Sequence, residues 1–64
     1  MLEVEKIYRS TGGDGTLVLL TAVLGERVQV VVGRGFGTRT IFADKITTMA
    51  RKDFEDNFQL VPGQ

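Results

Sequence analysis

The chain has 64 residues, with no cysteine, no histidine and no tryptophan. At this length a single domain over residues 1–64 is expected. The missing cysteine removes disulfides and thiolate sites, and the missing histidine would leave a transition-metal site with carboxylates alone. We therefore expect no metal and no cofactor. Small domains usually need a disulfide or a metal for stability. Without either, this domain must be stabilised by another chain or by very dense packing.

The same absences restrict catalysis. Histidine is the usual general base near neutral pH, and cysteine is the strongest side-chain nucleophile. Ser10 is the only serine, so neither a Ser-His-Asp nor a Cys-His arrangement can form within one chain. Eight acidic residues remain, and carboxylates usually lie on a solvated surface. We predict that the protein is not an enzyme.

The net charge is zero, but the charges are unevenly spread. Residues 27–52 contain six basic side chains and one acid, Asp44. A neutral total argues against strong non-specific binding to nucleic acid, which needs several uncompensated phosphate contacts. A local basic face is still compatible with this total.

No segment resembles a membrane helix or a secretory leader. The longest apolar stretch, residues 17–24, spans eight residues, whereas a membrane helix needs about 20. The N-terminus is acidic and lacks the apolar segment of a signal peptide. We expect a cytoplasmic protein that does not bind membranes.

The first half of the chain has β character. Residues 2–9 have modest strand propensity, and the glycine-rich segment 10–15 predicts a turn, because glycine adopts positive φ and aspartate hydrogen-bonds its own backbone. Residues 16–24 are apolar without a clean period of two, which is typical of a strand buried on both faces. Residues 25–26 suit a type II′ turn, and residues 27–33 alternate as the clearest strand.

The second half is harder to assign. Residues 33–37 predict a second glycine-rich loop, and residues 38–43 a fourth strand. Residues 44–58 allow two interpretations, an amphipathic helix from about Lys45 or a continued strand. We prefer a strand ending near Met49, followed by a short helix over about residues 51–58. The whole predicts a mainly β fold, a small SH3-like barrel of four to five strands with a short C-terminal helix.

One pattern covers most of the chain from Tyr8 onward and consists of Tyr8-Arg9, Gly25-Glu26-Arg27-Val28, Met49, Phe54, Phe58 and Val61. Its most specific part is a methionine, a phenylalanine five residues on, another four on and an aliphatic residue three on. This pattern resembles a set of short phage- and prophage-encoded proteins of unknown function. The resemblance implies an SH3-like barrel and an origin in a mobile element, and it implies no catalytic residues.

The second glycine-rich segment suggests a binding surface. Arg34-Gly35-Phe36-Gly37 matches the first half of an RNA-binding strand motif, but Thr38 stands where the next aromatic residue should follow. An aromatic residue beside arginines is also typical of protein interfaces. We therefore predict a module that binds a host or phage protein, with a nucleic-acid-binding regulator that contacts phosphates as the alternative. The predicted binding residues are Arg34, Phe36, Arg39, Lys45, Arg51 and Lys52.

The chain also has more apolar side chains than one small core can bury. The apolar strand has side chains for both faces, and an exposed remainder promotes aggregation unless another chain covers it. We predict a homo-oligomer. Its interface would contain either Val18 and Leu20 or Leu17 and Leu19, depending on which face of the strand looks outward.

Overall fold

A computed structural model describes residues 2–36 and 39–64, and the side chains of residues 2–33 and 45–64. The described elements, in chain order, are β1 (Ile7–Ser10), β2 (Thr16–Leu24), β3 (Arg27–Phe36), β4 (Arg39–Ala50), α1 (Arg51–Asn57) and β5 (Phe58–Leu60). The strands form one antiparallel sheet in the order β4-β3-β2-β1-β5. The predicted mainly β fold with a short helix is confirmed. The helix ends at Asn57 rather than Phe58 and is followed by β5, a strand that the sequence analysis did not predict. Within the described residues β4 and β5 are the two edges and do not pair with each other, so the sheet is not closed.

The first two hairpins follow the predicted pattern. β2 has the predicted bounds, and Gly25 has a φ of 63°. Among the described non-glycine residues only Glu5 has a positive φ, so Glu26 does not, and the pair agrees with a type II′ turn. Strand β1 begins at Ile7 rather than near Leu2, because Glu5 takes a left-handed conformation with a φ of 61° and turns the chain before the strand.

The predicted glycine-rich loop at residues 33–37 is wrong for most of its length. Strand β3 continues to Phe36, and Gly33 pairs with Leu17 of β2 on one side and Phe42 of β4 on the other. Strand propensity depends on context, and pairing on both sides here overrides the weak preference of glycine for a turn. The register of β3 against β4 shifts between Val31 and Gly33.

The preferred strand over residues 44–49 is confirmed, and the helix beginning near Lys45 is wrong. Strand β4 extends to Ala50, because its residues pair with β3 up to Arg27↔Ala50. Helix α1 begins at the next residue without a side-chain cap. The Arg51 N–H instead donates to the Glu26 carbonyl at 2.7 Å. This bond satisfies one of the backbone N–H groups at the helix start that have no acceptor within the helix.

The core lies between α1 and one face of the sheet, which we call the inner face. Phe54 is fully buried, and its ring meets Tyr8 edge-on at 4.8 Å and stacks on Phe58 at 5.3 Å. Burial of a large apolar side chain contributes about 1.5–3 kcal/mol, and an aromatic pair adds about 0.5–1.5 kcal/mol. The buried side chains of the core are Tyr8, Val18, Leu20, Val28, Val30 and Phe54.

A bulge in β2 decides which side chains reach this core. The pairing of β2 with β3 shifts by one residue between Leu20 and Ala22. The Thr21 hydroxyl donates to the Gln29 carbonyl at 3.0 Å across the bulge. Because the inserted residue reverses the alternation of faces, Val23 rather than Ala22 packs against the core.

Candidate interaction surface

The opposite side of the sheet, which we call the outer face, carries a row of apolar side chains. Ile7 pairs with Leu19, Leu19 with Val31, and Val31 with Ile46. Directly paired residues of antiparallel strands share a face, so these four side chains cross β1 to β4 in a single line. Ile46, at the β4 end, is 55% exposed, and the other three are half-buried. We call these four residues the apolar row.

Leu17 lies beside the apolar row on the same face. Along β2 the buried residues Val18 and Leu20 alternate with the half-buried Leu17 and Leu19. The predicted presence of apolar side chains on both faces of this strand is therefore confirmed. Because the core takes Val18 and Leu20, the pair of β2 left for an interface on the outer face is Leu17 and Leu19.

Two arginines lie on opposite sides of the apolar row, Arg9 directly beside it and Arg27 beyond Gln29 and Thr48. Arg9 pairs with Leu17 on one side, and Arg27 pairs with Leu24 and Ala50 on the other. Both arginines are exposed. Among the outer-face residues that pair within the sheet and have described side chains, no other residue is charged. The described outer face is therefore apolar in the middle and positively charged at two borders.

The predicted binding residues do not gather at one place along the backbone. Arg39 begins β4 and Arg51 directly follows its last residue, so a 12-residue strand separates them. Arg34 and Phe36 belong to β3, and their side chains, like that of Arg39, lie outside the described residues. The other predicted residues are Lys45, which is exposed on β4, and Lys52, which is exposed at the start of α1.

Arg51 and Lys52 line an open groove of about 380 Å³ between α1 and the β2–β3 turn. The remaining lining residues are Glu26, Ala50 and Glu55. The Arg51 Nε lies 3.6 Å from a Glu55 carboxylate oxygen, one helical turn away. Two bases and two acids cancel, so the groove has no net charge with which to attract a phosphate.

Two features are absent from the described residues. They contain no group of three or more acidic side chains placed to hold a metal ion. They also contain no helix of the length and apolarity needed to span a bilayer.

Sequence reasoning missed Ile7, Ile46, Arg9 and Arg27 as surface residues, because only strand register brings these distant positions to one face. The sequence contains one indication of this face. Val31 lies between Val30 and Val32 of the alternating strand, so its side chain belongs to the opposite face. Comparison of the sequence with protein-family models and with curated proteins, and of the structure with solved structures, gave no match. The surface is therefore assigned from the geometry of the chain alone.

Proposed function

We propose that this protein is a non-enzymatic interaction module that binds another protein through the outer face of its sheet. The apolar row carries this proposal. Single exposed apolar residues are normal on soluble proteins, whereas a contiguous apolar patch bordered by polar residues is typical of an interaction site. A rigid sheet also holds such a patch in one shape, which lowers the entropy lost when a partner binds.

The charges beside the apolar row suggest the chemistry of the partner. Arg9 and Arg27 are both exposed, and arginine is enriched among the residues that contribute most to protein interfaces. The partner we propose presents apolar side chains with carboxylates on either side of them. It is a host or phage protein, in keeping with the resemblance to phage-encoded proteins. The five antiparallel strands, the glycine turns and the short helix before β5 support the further proposal of an SH3-like fold whose sheet is open between β4 and β5.

Affinity capture followed by a binding series tests the proposal. Tagged protein captures candidates from a host lysate, and the dissociation constant is then measured with the purified partner for wild type and Leu19→Asp. We expect the substitution to weaken binding at least tenfold, because it places a charge in the middle of the apolar row; tenfold corresponds to about 1.4 kcal/mol. Circular dichroism confirms that the variant is folded.

Lys52→Ala is the matched control, because it removes one of the predicted basic residues and leaves the outer face intact. We expect it to change the dissociation constant by less than about twofold, because Lys52 lies in α1 and away from the outer face. Equal binding by wild type and Leu19→Asp would exclude the outer face as the binding surface. A loss confined to Lys52→Ala would assign binding to the groove beside α1.

Phosphate binding is the alternative function, and strand pairing favours one place for it. The register pairs Arg34 with Ile41 and Phe36 with Arg39, so both arginines lie on the same end of the β3–β4 hairpin. A nucleic-acid-binding protein would be retained on a DNA column at low salt and released as salt is raised. Loss of this retention in Arg34→Ala/Arg39→Ala would support the alternative, and no retention of wild type at low salt would exclude it.

A further inference from the structure

The two edges of the sheet are closed to different degrees. At the β1 side, β5 pairs with Tyr8, Arg9 and Ser10. The Gln64 side chain continues this closure, because its Oε1 accepts from the Ile7 N–H at 2.6 Å and its Nε2 donates to the Ile7 carbonyl at 2.8 Å. The carboxamide of Gln64 thus bonds to both backbone groups of Ile7, as the peptide of a neighbouring strand would.

The edge at β5 itself offers little for further pairing. It is three residues long, and Pro62 follows shortly after it. Proline has no N–H to donate to another strand. A short edge strand near a proline is one of the devices that prevent sheets from extending.

The opposite edge, β4, has no such protection in its described part. It is 12 residues long, and its residues 46–50 pair with β3 in one unbroken register. Within the described residues no backbone hydrogen bond reaches its other side. Lys45 is exposed and is the only charged side chain of β4 among those described.

The ladder also indicates which groups point to the free side of β4. The Arg51 N–H bonds to Glu26, a pair that continues the β3–β4 register by one step beyond Arg27↔Ala50. Bonded and non-bonded pairs alternate along an antiparallel ladder. The N–H and carbonyl groups of Met49 and Thr47 therefore face β3, and the outward groups belong to Ile46, Thr48 and Ala50.

We propose that β4 pairs antiparallel with β4 of a second copy of this chain, about a two-fold axis at Thr48. In this register Thr48 lies opposite Thr48 of the second copy, and Ile46 lies opposite its Ala50. The two Thr48 residues then exchange two N–H···O hydrogen bonds, and the Ala50 N–H of each copy donates to the Ile46 carbonyl of the other, which makes about four. The Ala50 carbonyl is not counted, because Ala50 is the N-cap of α1 and its carbonyl accepts the first bond of the helix. The two five-stranded sheets join into one continuous sheet.

Several features fit a second copy better than an unrelated strand. A two-fold axis perpendicular to the sheet keeps the outer faces on one side, so the exposed Ile46 packs beside Ala50, and a threonine faces a threonine, which is a favourable cross-strand pair. The zero net charge of the chain opposes self-association little.

Sedimentation equilibrium over a range of concentrations tests this pairing. We expect wild type to approach a mass of about 14 kDa, twice the 7.0 kDa of one chain, at high micromolar concentration. Thr48→Pro removes an outward N–H and leaves the bonds between β4 and β3 in place, since proline is tolerated on edge strands. We expect this variant to dimerise at least tenfold more weakly, with circular dichroism as the check on folding.

Thr48→Lys is a second variant that keeps the backbone donor and places two like charges opposite each other at the two-fold axis. It should also weaken the dimer at least tenfold. Leu19→Asp should leave the dimer unchanged, which separates this proposal from the proposed function. A wild type that stays at monomer mass, or an unchanged dimer in both folded Thr48 variants, would overturn the pairing. Loss of the dimer only in Leu19→Asp would do so as well, because it would assign self-association to the outer face.

Discussion

The inner and outer faces of the sheet differ far more in burial than in composition. Leu19 and Leu20 are neighbours of the same residue type on β2, yet Leu20 is fully buried and Leu19 is half-buried in the apolar row. The difference arises because α1 covers only the inner face, with Phe54 as its buried residue. Apolar character therefore predicts which residues form the strand. The packing of α1 on one face determines which of their side chains form the core.

The largest effect on the free energy of unfolding is expected when the two leucines are shortened to alanine in separate variants. Leu20→Ala should lower the free energy of unfolding by about 2–5 kcal/mol, because it leaves a cavity in the core. Leu19→Ala should lower it by less than about 1 kcal/mol, since its side chain already contacts solvent. Urea unfolding followed by circular dichroism measures both. Equal losses would mean that the outer face is covered as fully as the inner one, for instance by another chain.

A smaller effect is expected at the bulge at Thr21. This bulge determines which of the last residues of β2 lie on the inner face. Thr21→Val removes the hydroxyl that donates to the Gln29 carbonyl and keeps a β-branched side chain of similar size. We expect a loss of about 0.5–1.5 kcal/mol in the free energy of unfolding. Thr47→Val is the control, since the Thr47 hydroxyl makes no hydrogen bond within the described residues. A loss at Thr47 as large as that at Thr21 would show that the bulge bond contributes nothing specific.

The smallest effect is expected at Asp14, in the β1–β2 turn, which belongs to neither face. The Thr16 N–H donates to the Asp14 carboxylate at 2.9 Å, and this bond lowers the pKa of Asp14 below its usual 3.8. The ionised form is therefore favoured in the folded state. Its contribution to stability is complete above the pKa of the unfolded chain and is lost as the pH falls through the lower folded value.

NMR titration of the Asp14 carboxyl and urea unfolding at several pH values measure this effect. We expect a titration midpoint below 3.8 in the folded protein. Asp14→Asn should flatten the decline of stability below about pH 4, because it removes the titrating group. A midpoint at or above the usual value would mean that the Thr16 bond does not form in solution.

The sequence predicted more of the fold than of the surface. Local patterns were sufficient for β2, for the turn at Gly25 and for a helix that begins close to Arg51. They failed for residues 33–36, where pairing of Gly33 with two neighbouring strands outweighs its preference for a turn. Of the predicted binding residues, the structure describes the side chains of Lys45, Arg51 and Lys52, and it separates Lys45 on β4 from the other two at the start of α1.

The sequence by itself determined the order of β1 to β4 and α1 and the presence of apolar side chains on both faces of β2, because turn residues and hydrophobic periodicity act locally. It did not predict β5. Only the tertiary structure decided which of those side chains form the core. That choice depends on strand register, on the one-residue bulge at Thr21 and on the position of α1. These features bring Ile7 and Ile46 into one line although 38 residues lie between them in the chain. Such alignment results from pairing between distant strands, and no local pattern encodes it.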